Sequence, residues 1–191
     1  MKFRYVEPTI EYKKEALDYL KETIDSKSRI NGMSGLNRYQ DDYEGWLKRI
    51  EEQKKDDIVK EGLVPAGEYF LVDENDRIIG MANIRYSLNE KLRKIGGNIG
   101  YSIRPCERGK GYNKINLYCA LKICKEKGIK NAILTADVDN PASWRTMERL
   151  GGELEEEFET EEGIIEKRYI INVDKSLEEN KDIYEKYLME R

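Results

Sequence analysis

The apolar residues in the first third of the chain recur at the spacing of helices. One set predicts an amphipathic helix after Pro8: Ala16, Leu17, Leu20 and Ile24. A second set predicts another helix: Tyr43, Trp46, Leu47 and Ile50. The segment between them, residues 25–42, is rich in Ser, Gly and Asn, and loops of this length often form lids or binding walls.

The strand-like segments are short apolar runs, and most of them follow residue 68. Strands are predicted at residues 3–6, 69–72, 78–86, 98–103, 132–136, 154–160 and 164–173. A helix over 112–127 stops at Gly128, and Asn140 and Pro141 begin the next, which ends at Gly151. This order of helices, antiparallel strands, a strand–helix–strand unit and a closing hairpin predicts an α+β (mixed α/β) domain around one central sheet.

Length and composition favour a single domain followed by a short tail. The 191 residues show no linker or internal repeat, and a chain of this size can bury one sizeable core. We place the domain at residues 1–173 and assign residues 174–191 to a charged helical tail. The tail could dock on its own domain or on a neighbouring copy, so a homodimer stays open.

Charge and hydropathy argue against several classes of protein. Charged residues make up 38% of the chain, but both signs are mixed and the net charge is −4, which predicts no nucleic-acid partner. No apolar run approaches the roughly 20 residues of a membrane span, and no signal peptide is evident, so we predict no membrane partner. Three cysteines without disulfide number or CxxC spacing indicate free thiols and a cytoplasmic protein.

The chain contains no histidine. This excludes Ser–His and Cys–His nucleophile pairs and most zinc sites, and we predict no metal. Acid–base chemistry must therefore come from carboxylates, Tyr, Cys, Lys, the backbone or water.

The segment with the strongest chemical signal is a basic loop at residues 103–113. It follows a predicted strand, contains Gly109 and Gly111, and leads into a helix. Unpaired amides in a first helical turn and the helix dipole favour an anion, and glycine lets the backbone approach it closely. Arg108 and Lys110 add positive charge, so the loop predicts a site for a phosphorylated ligand.

Two known phosphate-loop patterns do not fit this spacing. A Walker A loop requires G-x-x-x-x-G-K-[ST], and no such frame surrounds Gly109 and Gly111. A dinucleotide-binding fingerprint requires a third glycine where this chain has Lys114. The loop therefore belongs to another class.

Two blocks of the sequence resemble the GNAT superfamily of N-acetyltransferases. The family's acetyl-CoA signature is Q/R-x-x-G-x-G/A, and the chain matches it at Arg108 and Gly111, with Asn113 in place of the final Gly or Ala. The second block, residues 136–152, resembles the family's strand, Asn-capped helix and closing glycine. Both blocks stand in the family's order and at its separation, inside its sequence of elements.

The resemblance covers residues 2–173 and implies a GNAT-like acyl-CoA N-acyltransferase fold. In this fold helices flank one mostly antiparallel sheet, and the parallel fourth and fifth strands splay apart to form a slot for the thioester. The fold class expected from the resemblance agrees with the α+β order of elements.

The resemblance also implies that acetyl-CoA, as a cosubstrate, binds along the loop and the strand before it. The implied cofactor-binding residues are Ile103, Arg108, Gly109, Lys110, Gly111, Tyr112, Asn113, Asn140 and Ser143. The loop amides would hold the diphosphate, and the strand end at Ile103 would pair with the pantetheine arm and offer its amide to the developing oxyanion. Asn140 caps its helix in one interpretation and also contacts the pantetheine arm in the other.

The sequence offers several candidates for the acid and the base of the reaction. Many family members carry a Tyr as general acid at the position of Met147, so solvent or another residue would protonate the leaving thiolate here. The predicted catalytic residues are Ile103 through its amide, Glu68 or Tyr101 as general base, and Asn98 or Ser102 as holder of a basic water. A purely structural role on a strand stays open for each of them.

The first functional hypothesis is an enzyme that transfers acetyl from acetyl-CoA to a primary amine by direct attack through a tetrahedral intermediate. The acceptor would be a small metabolite, an amino acid, an aminoglycoside-like compound or a protein N-terminus, with Arg85 orienting an acidic group. The alternatives are a non-catalytic acyl-CoA-binding sensor, which Met147 favours, and an acyltransferase for longer or succinyl groups.

Overall fold

The computed structural model describes residues 1–55 and 63–189. Within them the strands are β1 (Phe3–Val6), β2 (Ala66–Asp73), β3 (Ile78–Arg85), β4 (Ile99–Ile103), β5 (Asn131–Asp137), β6 (Gly152–Glu159) and β7 (Ile165–Asn172). The helices are α1 (Lys13–Asp25), α2 (Tyr43–Glu52), α3 (Glu90–Lys94), α4 (Tyr112–Glu126), α5 (Pro141–Arg149) and α6 (Val173–Tyr184). The predicted mixed α/β class is confirmed, and none of these helices has the length and apolar character to cross a lipid bilayer.

The strands form two antiparallel sheets rather than the one continuous sheet expected. The first has the order β1-β2-β3-β4 and the second the order β5-β7-β6. Between β4 and β5 the described residues form one isolated bridge, Gly97 with Leu134, and its geometry is antiparallel. Beyond this bridge β4 and β5 part without forming a ladder among the described residues, in agreement with the splay expected from the resemblance.

Residues 97 and 98 hold the two sheets together at the bridge. A Cβ on Gly97 would lie 2.0 Å from the Ile133 carbonyl oxygen, so only glycine permits this approach. The Asn98 amide donates to that oxygen at 2.6 Å, and Asn98 Oδ1 accepts from the Ile133 amide at 2.9 Å. Asn98 Nδ2 donates to the Arg85 carbonyl at 3.1 Å, which ties β3 into the same junction.

The first sheet is covered on both faces. Every residue of β2 is buried, and successive residues face opposite cores as the pleat requires. Phe70 and Val72 pack with α1 and α2, where Trp46 is fully buried. Tyr69 and Leu71 pack on the other face with the apolar side of α4.

The long loop between α1 and α2, residues 26–42, packs against the first sheet, and we call it the wall loop. Met33 and Leu36 are buried in the core formed with α1 and α2. Gly32 rests on the backbone of β4, where an added Cβ would be 2.7 Å from the Gly100 carbonyl oxygen. The segment is therefore a docked wall above β4, in agreement with the role expected from its composition.

The predicted C-terminal tail docks on its own domain. α6 begins at Val173, one residue earlier than expected, and packs on α4, with the rings of Tyr118 and Tyr184 5.3 Å apart. After α6, Leu188 bridges to Phe3 of β1. Residues 190 and 191 of the predicted tail lie outside the described residues.

One short helix, α3, has no counterpart in the sequence-based prediction. Asn89 caps it, with its side-chain oxygen accepting from the Leu92 amide at 2.9 Å. Its five residues have no buried side chain, so no apolar periodicity marks it in the sequence.

Candidate active site

A cleft of about 1260 Å³ opens where β4 and β5 part. Its walls are the wall loop, β3, β4, the loop before α4 with the first turn of α4, β5, the beginning of α5 and Glu166 of β7. Most of the predicted site residues line it: Tyr101, Ile103, Arg108, Gly109, Gly111, Tyr112, Asn113, Asn140 and Ser143. Lys110, Glu68 and Asn98 are absent from this lining.

The glycine loop, residues 108–111, turns the chain from β4 into α4 at one end of the cleft. Gly111 is the N-cap of α4, with φ +84°, a left-handed conformation that favours glycine over residues with a Cβ. Its own surroundings are open, since an added Cβ would meet nothing within 4 Å. The first turn of α4 contains no acidic residue, so its unpaired amides and the helix dipole are free to attract an anion.

Arg108 and Lys110 are both held by protein groups. Arg108 Nε donates to the Ile103 carbonyl at 3.2 Å, and its Nη1 donates to Ser28 Oγ at 2.7 Å. Lys110 pairs with Glu107 at 2.8 Å. Arg108 thus braces the glycine loop against the end of β4 and the wall loop. The Lys110 ammonium is paired with Glu107, which itself lines the cleft.

Asn113, the departure from the family signature, links α4 to α5. Its Nδ2 donates to Thr146 Oγ1 at 3.3 Å. Its Oδ1 is buried and has no hydrogen-bond partner among the described residues. The side chain therefore fits between the two helices that border the cleft, where Gly or Ala would leave more space.

The backbone of β4 presents its free edge to the cleft. The Asn98 carbonyl accepts from Arg85 and the Arg104 amide donates to Ile79, so the even-numbered residues of β4 bond to β3. Since these directions alternate along an antiparallel strand, the amides of Tyr101 and Ile103 point away from β3 and toward the gap. The arrangement suits the pairing of an extended ligand with β4 and gives an amide donor at Ile103.

Tyr101 reaches across the gap from β4 to the beginning of α5. Its hydroxyl lies 3.0 Å from Ser143 Oγ and 3.3 Å from the Ser143 carbonyl oxygen, while Asn140 Oδ1 caps the helix by accepting from the Ser143 amide at 3.3 Å. Burial raises the pKa of Tyr101 well above its ordinary value. The phenol therefore stays protonated at neutral pH. The role of Tyr101 as general base stays a prediction.

Met147 lies in the core beneath α5. Its side chain is fully buried among the residues that pack α5 on the second sheet. A thioether has no proton to donate, so this position supplies no general acid.

Glu68 is buried behind the wall loop. Only 1% of the residue is exposed, its Oε2 accepts from Ser34 Oγ at 2.5 Å, and its Oε1 has no partner among the described residues. Asn83 Nδ2 in turn donates to Ser34 Oγ at 2.8 Å, and both Ser34 and Asn83 line the cleft. Burial raises the pKa of Glu68 well above its ordinary value, against the opposing effects of Ser34 and of the charge on Arg85.

Ser34 connects this buried carboxyl group to the cleft. Its φ is +43°, a left-handed conformation that is uncommon for a serine. Its carbonyl accepts from Trp46 Nε1 at 3.3 Å and from Arg49 Nη1 at 3.0 Å, so α2 fixes the residue. Strained backbone held by its surroundings is typical of functional positions. Neither Ser34 nor Asn83 belongs to a sequence motif, so sequence reasoning missed both residues.

Asn98 uses its whole side chain at the junction between the sheets, which favours the structural role that the sequence left open. We expect Asn98→Ala to lower the free energy of unfolding by about 2–4 kcal/mol, because it leaves a buried amide at Ile133 and a buried carbonyl at Arg85 without partners. Urea unfolding would measure the change. The exposed turn variant Asn75→Ala is the control and should change stability by less than about 0.5 kcal/mol. Equal stability of the two variants would contradict the junction role.

The sequence that forms this cleft matches the profile of a known family. The family profile described as acetyltransferase (GNAT) domain matches residues 12–153, about three quarters of the chain. The chain belongs to the GNAT acetyltransferase family. The resemblance seen in the sequence is therefore confirmed, and this GNAT protein is an acyltransferase.

Solved structures agree with the GNAT fold. A chimeric spermidine N-acetyltransferase from Vibrio cholerae superimposes with a TM-score of 0.63 at 16% identity, covering 93% of this chain and 99% of its own. The ribosomal-protein-S5-alanine acetyltransferase from Vibrio fischeri gives a TM-score of 0.63 at 18% identity, with 90% and 94% covered. At such identities the similarity establishes the fold alone. No curated protein matches the sequence significantly.

Proposed function

We propose that this GNAT protein transfers an acetyl group from acetyl-CoA to a primary amine. The observation that carries the proposal is the single cleft that joins an anion-binding helix N-terminus to the free backbone edge of β4. The first feature fits the diphosphate of coenzyme A, and the second fits its extended pantetheine arm. Family membership supports the acyl transfer itself.

On this proposal, the donor lies along residues of three elements. Amides of Gly109, Gly111, Tyr112 and Asn113 hold the diphosphate, and Arg108 keeps the loop in place. Asn140 and Ser143 border the pantetheine arm at the beginning of α5, and Lys110 contributes through its backbone. The Ile103 amide donates to the carbonyl oxygen as charge develops there, an interaction worth roughly 3 kcal/mol of barrier.

The chemical step follows from the groups that surround the cleft. The neutral amine attacks the thioester carbonyl, a C–N bond forms, and the C–S bond breaks as the tetrahedral intermediate collapses. Glu68, reached through the Ser34 hydroxyl, receives the proton that the amine loses. Tyr101 is placed to give a proton to the departing thiolate, in the role that Met147 cannot fill.

Thiol release on an amine panel tests the proposal. We expect free CoASH to appear only when an amine is present, in step with the acetylated amine detected by mass spectrometry. Calorimetric binding of acetyl-CoA without thiol release from any amine would support the sensor alternative instead. No binding at millimolar acetyl-CoA would refute the donor site. Faster CoASH release from longer acyl-CoAs than from acetyl-CoA would show that the enzyme transfers a longer acyl group.

A further inference from the structure

We infer that the acceptor amine also carries a carboxylate and that Arg85 binds this carboxylate. The inference rests on the proposed acetyl transfer and adds to it the chemical class of the acceptor. It follows from an unpaired guanidinium at the end of the cleft opposite the glycine loop.

Arg85 is fixed in place but only partly used by the protein. Its Nη1 donates to the carbonyl oxygens of Gly97 at 2.8 Å and Gly96 at 3.3 Å. Its Nε and Nη2 make no hydrogen bond to another described residue, and the side chain lines the cleft. Two anchored contacts orient the planar group, and its remaining donors stay available for a ligand.

Within residues 1–55 and 63–189 the charge of Arg85 is not balanced by an ion pair. Among the described residues no carboxylate lies within the 4.0 Å of an ion pair with it. Glu68 is the carboxyl group that influences it electrostatically, but Glu68 Oε2 accepts from Ser34 Oγ and the two side chains do not come within ion-pair distance. Buried or partly buried charges are normally paired, so an unpaired guanidinium beside a cavity indicates an anionic ligand.

The position of Arg85 separates it from the diphosphate site. Its amide donates to the Asn98 carbonyl at 2.7 Å, at the start of β4, whereas the glycine loop follows the end of β4. The five residues of β4 place these backbone points ~16 Å apart along the strand, and the guanidinium reaches the middle of β4, where Arg85 Nη2 lies beside Gly100. If acetyl-CoA binds at the glycine loop and its thioester lies beside β4, it does not occupy Arg85. Arg85 can then contact the acceptor.

The donor geometry of Arg85 favours a carboxylate, and the cleft also suits a positive group. A guanidinium binds a carboxylate through two parallel hydrogen bonds, which fixes the ligand's orientation. Glu166, which also lines the cleft, has a buried Oε2 without a partner among the described residues. Unpaired groups of both signs fit an amino acid or a similar zwitterion, while a purely cationic polyamine would place like charge beside Arg85.

Matched amine pairs that differ only by a carboxylate test the inference. The pairs are ornithine with putrescine, lysine with cadaverine and tyrosine with tyramine, and spermidine is included as a polyamine. We expect the accepted amine to be a carboxylate-bearing member, with kcat/KM at least tenfold above its decarboxylated partner. Equal or better turnover of the decarboxylated amines or of spermidine would overturn the inference and leave the proposed function intact.

Variants of Arg85 provide the second measurement. Arg85→Gln should raise the KM of the accepted amine at least tenfold and remove the preference for the carboxylate-bearing amine. Arg85→Lys should restore part of the affinity and part of the preference. The KM for acetyl-CoA should stay unchanged in both variants. Arg93 is an exposed residue of α3, and Arg93→Gln removes the same charge outside the cleft. This variant should change neither the KM of the accepted amine nor the preference for a carboxylate. A preference that survives Arg85→Gln would refute the role of Arg85. No thiol release from any amine would refute the proposed function and the inference with it.

Discussion

Replacing Glu68 by glutamine is expected to lower kcat by about 100-fold or more, with little change in KM for acetyl-CoA. A positioned general base typically contributes at least this factor, and glutamine cannot accept the proton that the amine loses. Glu68 lies behind Ser34 and outside the cleft lining, and within the described part of the chain it makes no hydrogen bond or ion pair with residues 108–111, so donor binding should survive. Steady-state thiol release at varied acetyl-CoA would separate the two parameters.

The pH dependence provides an independent check on Glu68. Burial raises the pKa of Glu68 in the folded protein, so kcat should rise with pH around a pKa above that of an ordinary glutamate. This rise on the acidic side of the pH–rate profile should vanish in Glu68→Gln. Because the folded pKa exceeds the unfolded one, the native state binds the extra proton, and its stability falls as pH rises through this range. Glu68→Gln should therefore be at least as stable as the natural protein at neutral pH, which a merely structural residue would not show.

Ser34 offers a control for the path between Glu68 and the cleft. Glycine tolerates the φ of +43° at this position, so Ser34→Gly removes the hydroxyl without backbone strain. It should lose kcat to a similar extent as Glu68→Gln. If both variants kept full activity and the same rise of kcat with pH, another residue would be the general base.

Gly111→Glu is expected to weaken coenzyme A binding at least tenfold while the protein still folds. The substitution places a side chain and a negative charge at the N-terminus of α4, where the amides and the helix dipole would otherwise meet the diphosphate. It also introduces a Cβ at φ +84°. Isothermal calorimetry with coenzyme A would measure the loss.

The matched control for Gly111→Glu is Gly128→Glu at the other end of α4. Gly128 has a φ of +74° and equally open surroundings, so the same substitution causes similar backbone strain there. Coenzyme A affinity should be unchanged in this variant. A similar loss of affinity in both variants would trace the effect to α4 as a whole. Unchanged affinity in Gly111→Glu would show that the diphosphate does not bind at the glycine loop.

Local signals in the sequence are sufficient for every described α-helix except α3, for the strands and for the glycine loop. Gly111 and the Asn140-Pro141 pair mark helix beginnings through backbone chemistry that depends only on neighbouring residues, and both helices begin where expected. Residues such as Phe70 and Val72 identify a strand by their propensity alone. These features need no knowledge of distant contacts.

The division into two sheets and the connection to Glu68 depend on distant contacts and could not be predicted. Nothing near Gly97 in the sequence indicates that it would meet Ile133, and this approach decides where the sheets join and part. Ser34 likewise acquires its role only when Trp46 and Arg49 fix its carbonyl against β2. Sequence patterns found Glu68 as a candidate but gave no indication of how a proton would reach it.

If Glu68 is the general base as we propose, the placement of Ser34 on the wall loop ties substrate range to reaction rate. The same loop rests on β4 through Gly32 and borders the cleft, so it shapes the space available to the acceptor. Any insertion or deletion that reshapes this space also shifts the hydroxyl that contacts Glu68. Variants of this protein that accept bulkier amines should therefore arise more readily from side-chain changes in β3 or β5 than from changes in the length of residues 26–42.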